Sequence, residues 1–345
     1  MESFTLQHLD SFPAVVDLSD FFARHSFPRL RYLEIHGCRF SPWAHLAMQT
    51  GALTDLNLAI DHTSSPLSVT NTLLLFASNP LLRTIQISGR TIPEDKNPTF
   101  PFRVPLHHLT HLELIGDLQP IFSILRQLDY SLTLDLLSLT LRGRTIADIP
   151  QIVGPYLQDH FKRCVRSQSG LKIVLFCGHT ITLDVEGVNT RPSTVGAERR
   201  VILTFQQDWQ NPQGPIEVPS ELIKHIPLEE VIYFEMDGPA GVLPDAFTKL
   251  TNLKTLRLGD VYLPGMFPEY NASIPPSLRD LIFDCSRVDD GDWSPLTTFL
   301  AGRVSSGTPL TTLSIYESGD MSAEVQGIIK GMVQEFNFPD QEPLL

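Results

Sequence analysis

Aliphatic residues recur along most of this chain at the spacing Leu-x-x-Leu-x-Leu, in which Ile, Val, Phe or Tyr sometimes replaces a Leu. The first clear copy, LRYLEI, begins at Leu30, and the last, LTTLSI, begins at Leu310. The copies between them are LTDLNL at Leu53, LRTIQI at Leu82, LTHLEL at Leu109, LLSLTL at Leu136, LKIVLF at Leu171, LEEVIY at Leu228, LKTLRL at Leu253 and LRDLIF at Leu278. Because alternate side chains of a strand point to opposite faces, each copy predicts one short strand with its last two aliphatic residues on the same face.

A single strand of this kind cannot bury its own apolar face, so the copies must stack on one another. Parallel stacking would build one buried row from Leu33, Leu56, Ile85, Leu112, Leu139, Leu256, Leu281 and Leu313. A second row would begin with Ile35, Leu58, Ile87, Leu114 and Leu141. The pattern therefore predicts an α/β leucine-rich-repeat solenoid, with parallel strands on the concave side and helices and loops on the convex side.

The segments between the copies carry helix signals. Ser41 and Ser294 each precede a proline, which is typical of an N-cap followed by the first turn of a helix. The other predicted convex helices are SVTNTLLLFAS, PIFSILRQL, QIVGPYLQDHFKRCV and PSELIKHI. Near the C-terminus, apolar residues follow helical spacing after Ser322 and predict a helix over about 322–334 that caps the solenoid. These apolar residues are Val325, Ile328, Ile329 and Met332.

The repeat breaks between residues 178 and 219. LKIVLFCGHTITLDV contains two alternating runs and RRVILTFQQDW supplies a third, so we predict a β-meander inserted over about 171–209. In register with the other copies, its first run and the strand near residue 232 would turn apolar side chains to the concave side, where they are either covered by the insert or offered to a partner. These side chains are Ile173, Leu175, Cys177, Ile232 and Phe234. Apolar residues on both faces favour the covered alternative.

The predicted organisation is a single solenoid over residues 1–334, with an irregular insert over about 178–219 and a flexible acidic tail over 335–345. The repeat, together with KIVLFCGHTITLDV, LPDAFTKLTNLKTLRLGD and SLRDLIFDCSRVDDGDWSPLTTFLAGRVSSGTPLTTLSI, resembles the leucine-rich-repeat portion of F-box proteins expanded in mushroom-forming fungi. The resemblance covers most of the chain. It implies that the repeats recruit a protein substrate while an amino-terminal F-box docks the Skp1 adaptor of a cullin-type ubiquitin ligase. No F-box is recognisable before Leu30.

Composition narrows the possible partners and compartment. The net charge of −13 disfavours nucleic acid and anionic membranes, because those partners are themselves negative. The beginning of the chain has no pattern of a signal peptide and no apolar run approaches the length of a membrane span, which predicts an intracellular protein, cytoplasmic or nuclear. The cysteines show no CxxC spacing and are expected to be reduced thiols.

Catalytic and metal-binding patterns are weak. The sequence contains no GxxxxGK phosphate loop, HExxH or GxSxG motif, and no GxGxxG follows a predicted strand. His107, His108 and His111 come closest to a metal cluster, but only His111 would face the concave side, together with Glu113. We therefore expect no catalytic, cofactor or metal site and no enzymatic activity.

The function that the sequence favours is a protein-protein interaction module that binds a protein ligand on the concave face. The predicted contact residues are Tyr32, Glu34, His36, Asp55, Asn57, Gln86, His111, Glu113, Arg142, Arg257, Asp280 and Tyr316. An alternative is the substrate-recognition subunit of an SCF-type ubiquitin ligase, with an F-box that is missing or lies outside this chain. A third possibility, an enzyme or a GTPase regulator, depends on a lone exposed arginine.

Overall fold

The computed structural model describes the chain in fifteen segments. They are residues 1–7, 17–38, 50–60, 67–89, 103–130, 134–143, 149–164, 170–177, 180–187, 200–207, 222–237, 247–259, 274–284, 293–316 and 321–338. The Ser41-Pro42 helix start lies outside these segments, as do most of the predicted insert and the last residues of the predicted tail.

Strands are the dominant elements. They are β1 (Ser3–Gln7), β2 (Tyr32–His36), β3 (Asp55–Ile60), β4 (Thr84–Gly89), β5 (Val104–Leu106), β6 (His111–Asp117), β7 (Leu128–Tyr130), β8 (Leu136–Gly143), β9 (Leu171–Cys177), β10 (Thr180–Gly187), β11 (Arg200–Gln207), β12 (Val231–Asp237), β13 (Thr255–Gly259), β14 (Asp280–Asp284), β15 (Thr312–Ile315) and β16 (Glu335–Asn337). The described helices are α1 (Ser19–Arg24), α2 (Val69–Ala77), α3 (Leu118–Gln127), α4 (Ile149–Cys164), α5 (Ser294–Ser305) and α6 (Ala323–Lys330). None of these helices combines the length and the apolar character that crossing a membrane requires.

The chain divides into two compact units. Unit 1 comprises Met1–Thr145 and Arg199–Asn211, and unit 2 comprises Ile146–Glu198 and Pro212–Leu345. In unit 1, seven strands pair in parallel in the order β1, β2, β3, β4, β6, β8 and β11, while β5 and β7 form a separate parallel pair. The fold is therefore α/β and mostly parallel, as the sequence predicted.

The core of unit 1 is two rows of aliphatic side chains that cross the strands. One row runs through Leu33, Leu56, Ile85, Leu112 and Leu137, and the other through Ile35, Leu58, Ile87, Leu114 and Leu139. All of these side chains are buried. Full burial of one such side chain stabilises the fold by about 1.5 to 3 kcal/mol, so the rows hold the strands in register.

A repeated backbone contact marks where each strand begins. The carbonyl of Arg31 accepts hydrogen bonds from the N–H groups of Thr54 and Asp55, at 2.8 and 3.0 Å. The carbonyls of Thr54, Arg83, Thr110, Lys254 and Arg279 each accept two N–H groups from the following strand in the same way. The donor residue is always 23 to 33 positions further along the chain, as expected of a repeat.

The predicted rows were wrong at β8, where they contained Leu139 and Leu141. The structure pairs Leu112 with Leu137 and Leu114 with Leu139, two residues earlier. The copy that folds is therefore LDLLSL, beginning at Leu134, and its second residue, Asp135, accepts the N–H of Arg200 at 2.8 Å. Two overlapping copies are present in this leucine-rich stretch, and the pairing with β6 selects the earlier one.

In unit 2 the strands lie in the order β10, β9, β12, β13, β14, β15 and β16. β10 runs antiparallel to β9, which confirms the predicted hairpin, and all the other described pairings are parallel. The third run of the predicted meander, β11, pairs in parallel with β8 of unit 1. It therefore extends the parallel sheet of that unit.

The buried rows of unit 2 correct the predicted orientation of β9 and β12. Phe234 is paired with Ile173 and with Leu256, and Met236 with Leu175 and with Leu258. All six side chains are buried. The predicted concave orientation of Ile173, Leu175 and Phe234 was therefore wrong. Cys177 is paired with Ile181 of β10, and its side chain lies outside the described part of the structure.

The orientation of β9 and β12 was predicted wrongly because overlapping frames of the repeat are present in both strands, as in β8. In β12 the copy that folds is VIYFEM, beginning at Val231, because the carbonyl of Ile232 accepts the N–H of Lys254 in the repeated backbone contact. A register shift between Val231 and Tyr233 marks the bulge that places Ile232 outside the alternation. In β9, Gly170 takes the first position of the copy, and a Cβ there would lie 3.0 Å from Ile232 Cδ1.

The helices confirm most of the predicted segments. Ser68 caps α2 by accepting the N–H of Asn71, and Ser322 caps α6 by accepting the N–H of Val325. The N-cap of α5 is Trp293, so the predicted cap at Ser294 was wrong by one residue. In the predicted 322–334 helix, α6 ends at Lys330, and of its four apolar positions only Ile329 is buried.

The predicted tail also needs a correction, because residues 335–337 form β16. This strand pairs in parallel with β15 and aligns Phe336 with Leu313. The aromatic side chain thus continues the row of Leu256 and Leu281, and this explains why the strand is held in place.

Candidate functional site

Each unit has an open face, which we define as the sheet face opposite the buried rows. On the open face of unit 1, register aligns Tyr32 with Asp55, and aligns Glu34 with Asn57, Gln86 and Glu113. His111 continues the first of these rows, His36 lies two residues beyond Glu34, and Arg142 is paired with Asp117 near the end of β6. All nine residues predicted from this part of the sequence therefore share one face.

Glu34 is the centre of the best-connected group on this face. Its carboxylate accepts hydrogen bonds from Tyr32 Oη at 2.8 Å and from Gln7 Nε2 at 3.0 Å, and His36 Nε2 lies 3.4 Å away. The Tyr32 hydroxyl and then the Gln7 amide lower the pKa of Glu34, and the Glu34 carboxylate in turn raises the pKa of Tyr32. Glu34 is thus ionised and Tyr32 is neutral at physiological pH.

A second group lies on β4 and β6, which are separated from β2 by β3. Gln86 Nε2 donates to Glu113 Oε2 at 3.1 Å, and His111 Nδ1 lies 2.9 Å from the hydroxyl of Thr110. The donors to Glu34 and Glu113 in these two groups include a phenol and two amides, all uncharged. Unit 1 therefore presents carboxylates whose described hydrogen bonds come mainly from neutral side chains.

On the open face of unit 2 lie the three remaining predicted residues. Arg257 Nε is 2.5 Å from Asp284 Oδ2 and 3.8 Å from Glu235 Oε1, so one guanidinium links β12 and β14 across β13. The hydrogen bond to Asp284 is the largest cause of the raised pKa of Arg257. Asp280 accepts a hydrogen bond from the Thr255 hydroxyl at 3.2 Å, and Tyr316, which follows β15, is 44% exposed.

Sequence reasoning missed the neighbours of these residues. Tyr233 Oη donates to Glu235 at 2.8 Å, and burial followed by that carboxylate raises the pKa of Tyr233 to about 12. Lys172 Nζ lies 5.0 Å from the centroid of the Tyr233 ring and 3.9 Å from Glu186 Oε2. The signal that could have found them is the polar residue within each apolar strand, because Lys172 and Glu235 mark the positions that face solvent.

A groove of about 530 Å³ lies elsewhere in unit 2, beside the first residues of β13, β14 and β15. Two of its polar side chains, Ser277 and Asn252, form hydrogen bonds with backbone carbonyls. The Ser277 hydroxyl contacts the carbonyls of Thr251 and Leu253 at 2.7 and 2.8 Å, and Asn252 donates to the carbonyl of Glu229 at 2.7 Å. These contacts stabilise the turns before the strands, so we assign the groove a structural role.

The described side chains offer little for metal or thiol chemistry. Within the fifteen segments, no group of three or more His, Cys, Asp or Glu side chains is arranged to hold a metal ion. Cys38 is a buried free thiol that contacts the carbonyl of His36 at 3.3 Å, and burial raises its pKa. A raised pKa keeps the thiol protonated, which makes it a poor nucleophile.

Comparison with protein-family models gives no match for this sequence, and comparison with curated proteins gives none either.

Proposed function

We propose that this chain is a non-enzymatic protein-interaction module, built as a leucine-rich-repeat solenoid, that holds a protein ligand on the open faces of its sheets. The observation that carries the proposal is the register. Polar side chains from consecutive strands stand in straight rows on one face, while the rows on the other face are buried. A face of this kind exposes many side chains at fixed spacing, which suits an extended macromolecular ligand.

The repeated backbone contact supports the solenoid. Carbonyls such as those of Thr54 and Lys254 each accept two N–H groups from the next strand, in both units. The helices α2, α3 and α5 occupy the segments between strands, as expected for the convex layer. Each repeat thus contributes a strand to the open face and returns through a connecting segment.

The residue types support a protein as the ligand. The open faces mix carboxylates with Arg257, Lys172 and two exposed tyrosines, Tyr32 at 36% and Tyr316 at 44%. Tyrosine and arginine are the side chains that most often dominate the energetics of protein interfaces. The net charge of −13 opposes a polyanionic ligand such as nucleic acid.

A pull-down with open-face variants tests the proposal. Proteins that co-purify with the tagged chain are quantified by mass spectrometry for the parent and for a variant with Tyr32, His111 and Arg257 all replaced by alanine. We expect the specific partners to be lost from the variant. In a matched variant, alanine replaces three exposed residues outside the open faces, Leu81, His108 and Arg126. This variant should retain the partners. Partners that stay bound to the first variant would contradict the proposal.

A further inference from the structure

Charge alternates from strand to strand across the open face of unit 2. Carboxylates stand on β10, β12 and β14, and cations stand on the strands between them, β9 and β13. The carboxylates are Asp184, Glu186, Glu235, Asp237, Asp280 and Asp284, and the cations are Lys172 and Arg257. Opposite charges on adjacent strands attract, so this order stabilises the sheet.

Each cation contacts groups on both neighbouring strands. Lys172 on β9 pairs with Glu186 of β10 and lies over the ring of Tyr233 of β12. Arg257 on β13 reaches Glu235 of β12 and Asp284 of β14. β9 and β13, which each lie between two carboxylate-bearing strands, therefore each supply a cation that contacts both neighbouring strands.

The alternation ends at β15. This strand lies between β14 and β16, and its Thr312 is aligned with Asp280 on one side and with Glu335 on the other. The open-face positions of β15 are Thr312 and Ser314, which are uncharged. Among the described residues, the partner of Asp280 is the neutral Thr255 hydroxyl, and neither Asp280 nor Glu335 forms an ion pair.

An aromatic residue stands on the same strand line, four residues and about 13 Å beyond Thr312. The N–H of Tyr316 donates to the carbonyl of Phe283 at 2.8 Å, so Tyr316 continues the ladder and shares the open-face alternation with Thr312 and Ser314. It is 44% exposed. Aromatic faces attract ammonium and guanidinium groups, and Lys172 over Tyr233 is an example within the same sheet.

We propose that β14, β15 and β16 receive a basic segment of the protein ligand, with one arginine or lysine side chain over Thr312 between Asp280 and Glu335 and another against Tyr316. This inference depends on the proposed function and names the partner's chemistry as a basic segment. Strands two apart in a sheet are separated by about 10 Å, which lets one long cationic side chain approach both carboxylates.

The experiment uses the full chain and a fluorescein-labelled peptide of alternating arginine and serine, with binding measured by fluorescence anisotropy. Thr312→Arg places the missing cation on β15 and should weaken binding about tenfold, because one weak ion pair to each of Asp280 and Glu335 is lost. Thr298→Arg adds the same charge on α5, at an exposed position, and should change affinity less than about twofold. An alternating glutamate and serine peptide should not bind.

A second variant tests the same site by removing its carboxylates, so that the inference does not depend on Thr312→Arg alone. Asp280→Asn with Glu335→Gln preserves side-chain size and should also weaken binding about tenfold, which corresponds to about 1.4 kcal/mol. Circular dichroism checks that each variant is folded. Equal losses for Thr312→Arg and Thr298→Arg would show that net charge alone governs binding and would overturn the inference, as would a failure of the parent chain to bind the arginine peptide. If either occurs while the pull-down still loses its partners, the interaction module stands and only the basic-segment inference is wrong.

Discussion

The open faces of the two units are built on the same backbone frame, but their carboxylates are paired differently. In unit 1, Glu34 accepts hydrogen bonds from a phenol and an amide, and Glu113 accepts one from the amide of Gln86. In unit 2, Glu235 and Asp284 both lie within ion-pair distance of Arg257. Because ion pairs are screened by salt and neutral hydrogen bonds are much less so, the two faces should respond differently to ionic strength.

The same contrast recurs in the buried turns before the strands. In unit 1, Asn79 Oδ1 accepts the N–H of Leu53 at 3.3 Å, and its amide donates to Thr50 Oγ1 and the carbonyl of Leu75. In unit 2, the guanidinium of Arg303 donates to the carbonyls of Pro275, Pro276 and Leu278. Leu53 and Leu278 each begin a copy of the repeat, so a neutral amide and a cation fix equivalent turns. The apolar rows set the frame, and the polar chemistry varies within it.

The largest expected effect is on these turns. Asn79→Ala and Arg303→Met should each lower the free energy of unfolding by about 2 kcal/mol, because each leaves buried backbone groups without their partners. For Arg303→Met, the free energy lost with the hydrogen bonds is partly offset, because the substitution also removes a buried charge. Desolvation of that charge lowers the pKa of Arg303. Urea denaturation followed by circular dichroism measures both values.

Two exposed positions serve as controls for the turns. Gln119→Ala and Arg126→Met remove an exposed amide and an exposed guanidinium from α3 and should alter the free energy of unfolding by less than about 0.5 kcal/mol. Asn79→Asp should be more harmful than Asn79→Ala, because it adds a buried charge and removes both donors. If Asn79→Ala and Gln119→Ala had equal effects, the turn would not depend on the buried amide.

The sequence predicted the frame because its signal is strong and local. A strand at each copy, parallel pairing, and burial of Leu33 and Leu56 follow from the spacing alone, and all are confirmed. The positions of the polar rows of unit 1 were predicted equally well, because LRYLEI and LTDLNL each fit the repeat spacing in a single frame. Tyr32 and Asp55 therefore appear on the open face where they were expected.

The prediction failed where aliphatic residues are dense enough to hold two overlapping frames. At β8 the spacing Leu-x-x-Leu-x-Leu fits twice, and at β9 and β12 a second, less regular frame begins at Gly170 and at Val231. The shift exchanges buried and open positions in β9 and β12. The choice depends on pairing with the neighbouring strand, which is a long-range contact that spacing does not report. Contacts such as Lys172 of β9 with Tyr233 of β12 also depend on the order of strands in the sheet, and so could not be derived from the sequence.

A matched pair of tyrosines sharpens the comparison between faces. Tyr32 and Tyr233 each donate at 2.8 Å to a glutamate two residues further on, Glu34 or Glu235. The hydrogen bond to Glu34 is the largest cause of the raised pKa of Tyr32, whereas burial is the largest cause for Tyr233. Glu34→Gln should therefore return the pKa of Tyr32 close to its ordinary value, and Glu235→Gln should leave the pKa of Tyr233 raised.

Absorbance titration of the phenolate measures both values, with Tyr32→Phe and Tyr233→Phe assigning each transition. Since the pKa of Tyr233 is raised from 10.0 to about 12 in the folded chain, its contribution to stability is fully present below pH 10 and is lost as pH rises to about 12. The difference in unfolding free energy between the parent and Tyr233→Phe should shrink across that window. A pKa of Tyr233 that returned to its ordinary value in Glu235→Gln would contradict the role of burial.

The smallest expected effect is also the most direct comparison of the two faces. Arg257→Gln should cost about 0.5 to 1 kcal/mol at low salt, the range of partly exposed ion pairs, and Gln86→Met about 0.5 kcal/mol. In 1 M sodium chloride, where screening acts over about 3 Å, most of the cost of Arg257→Gln should disappear while that of Gln86→Met persists. Urea is the suitable denaturant because it is uncharged. Equal salt dependence for the two variants would show that the cations of unit 2 stabilise its open face as neutral hydrogen-bond donors do, and the distinction between the faces would then be one of composition alone.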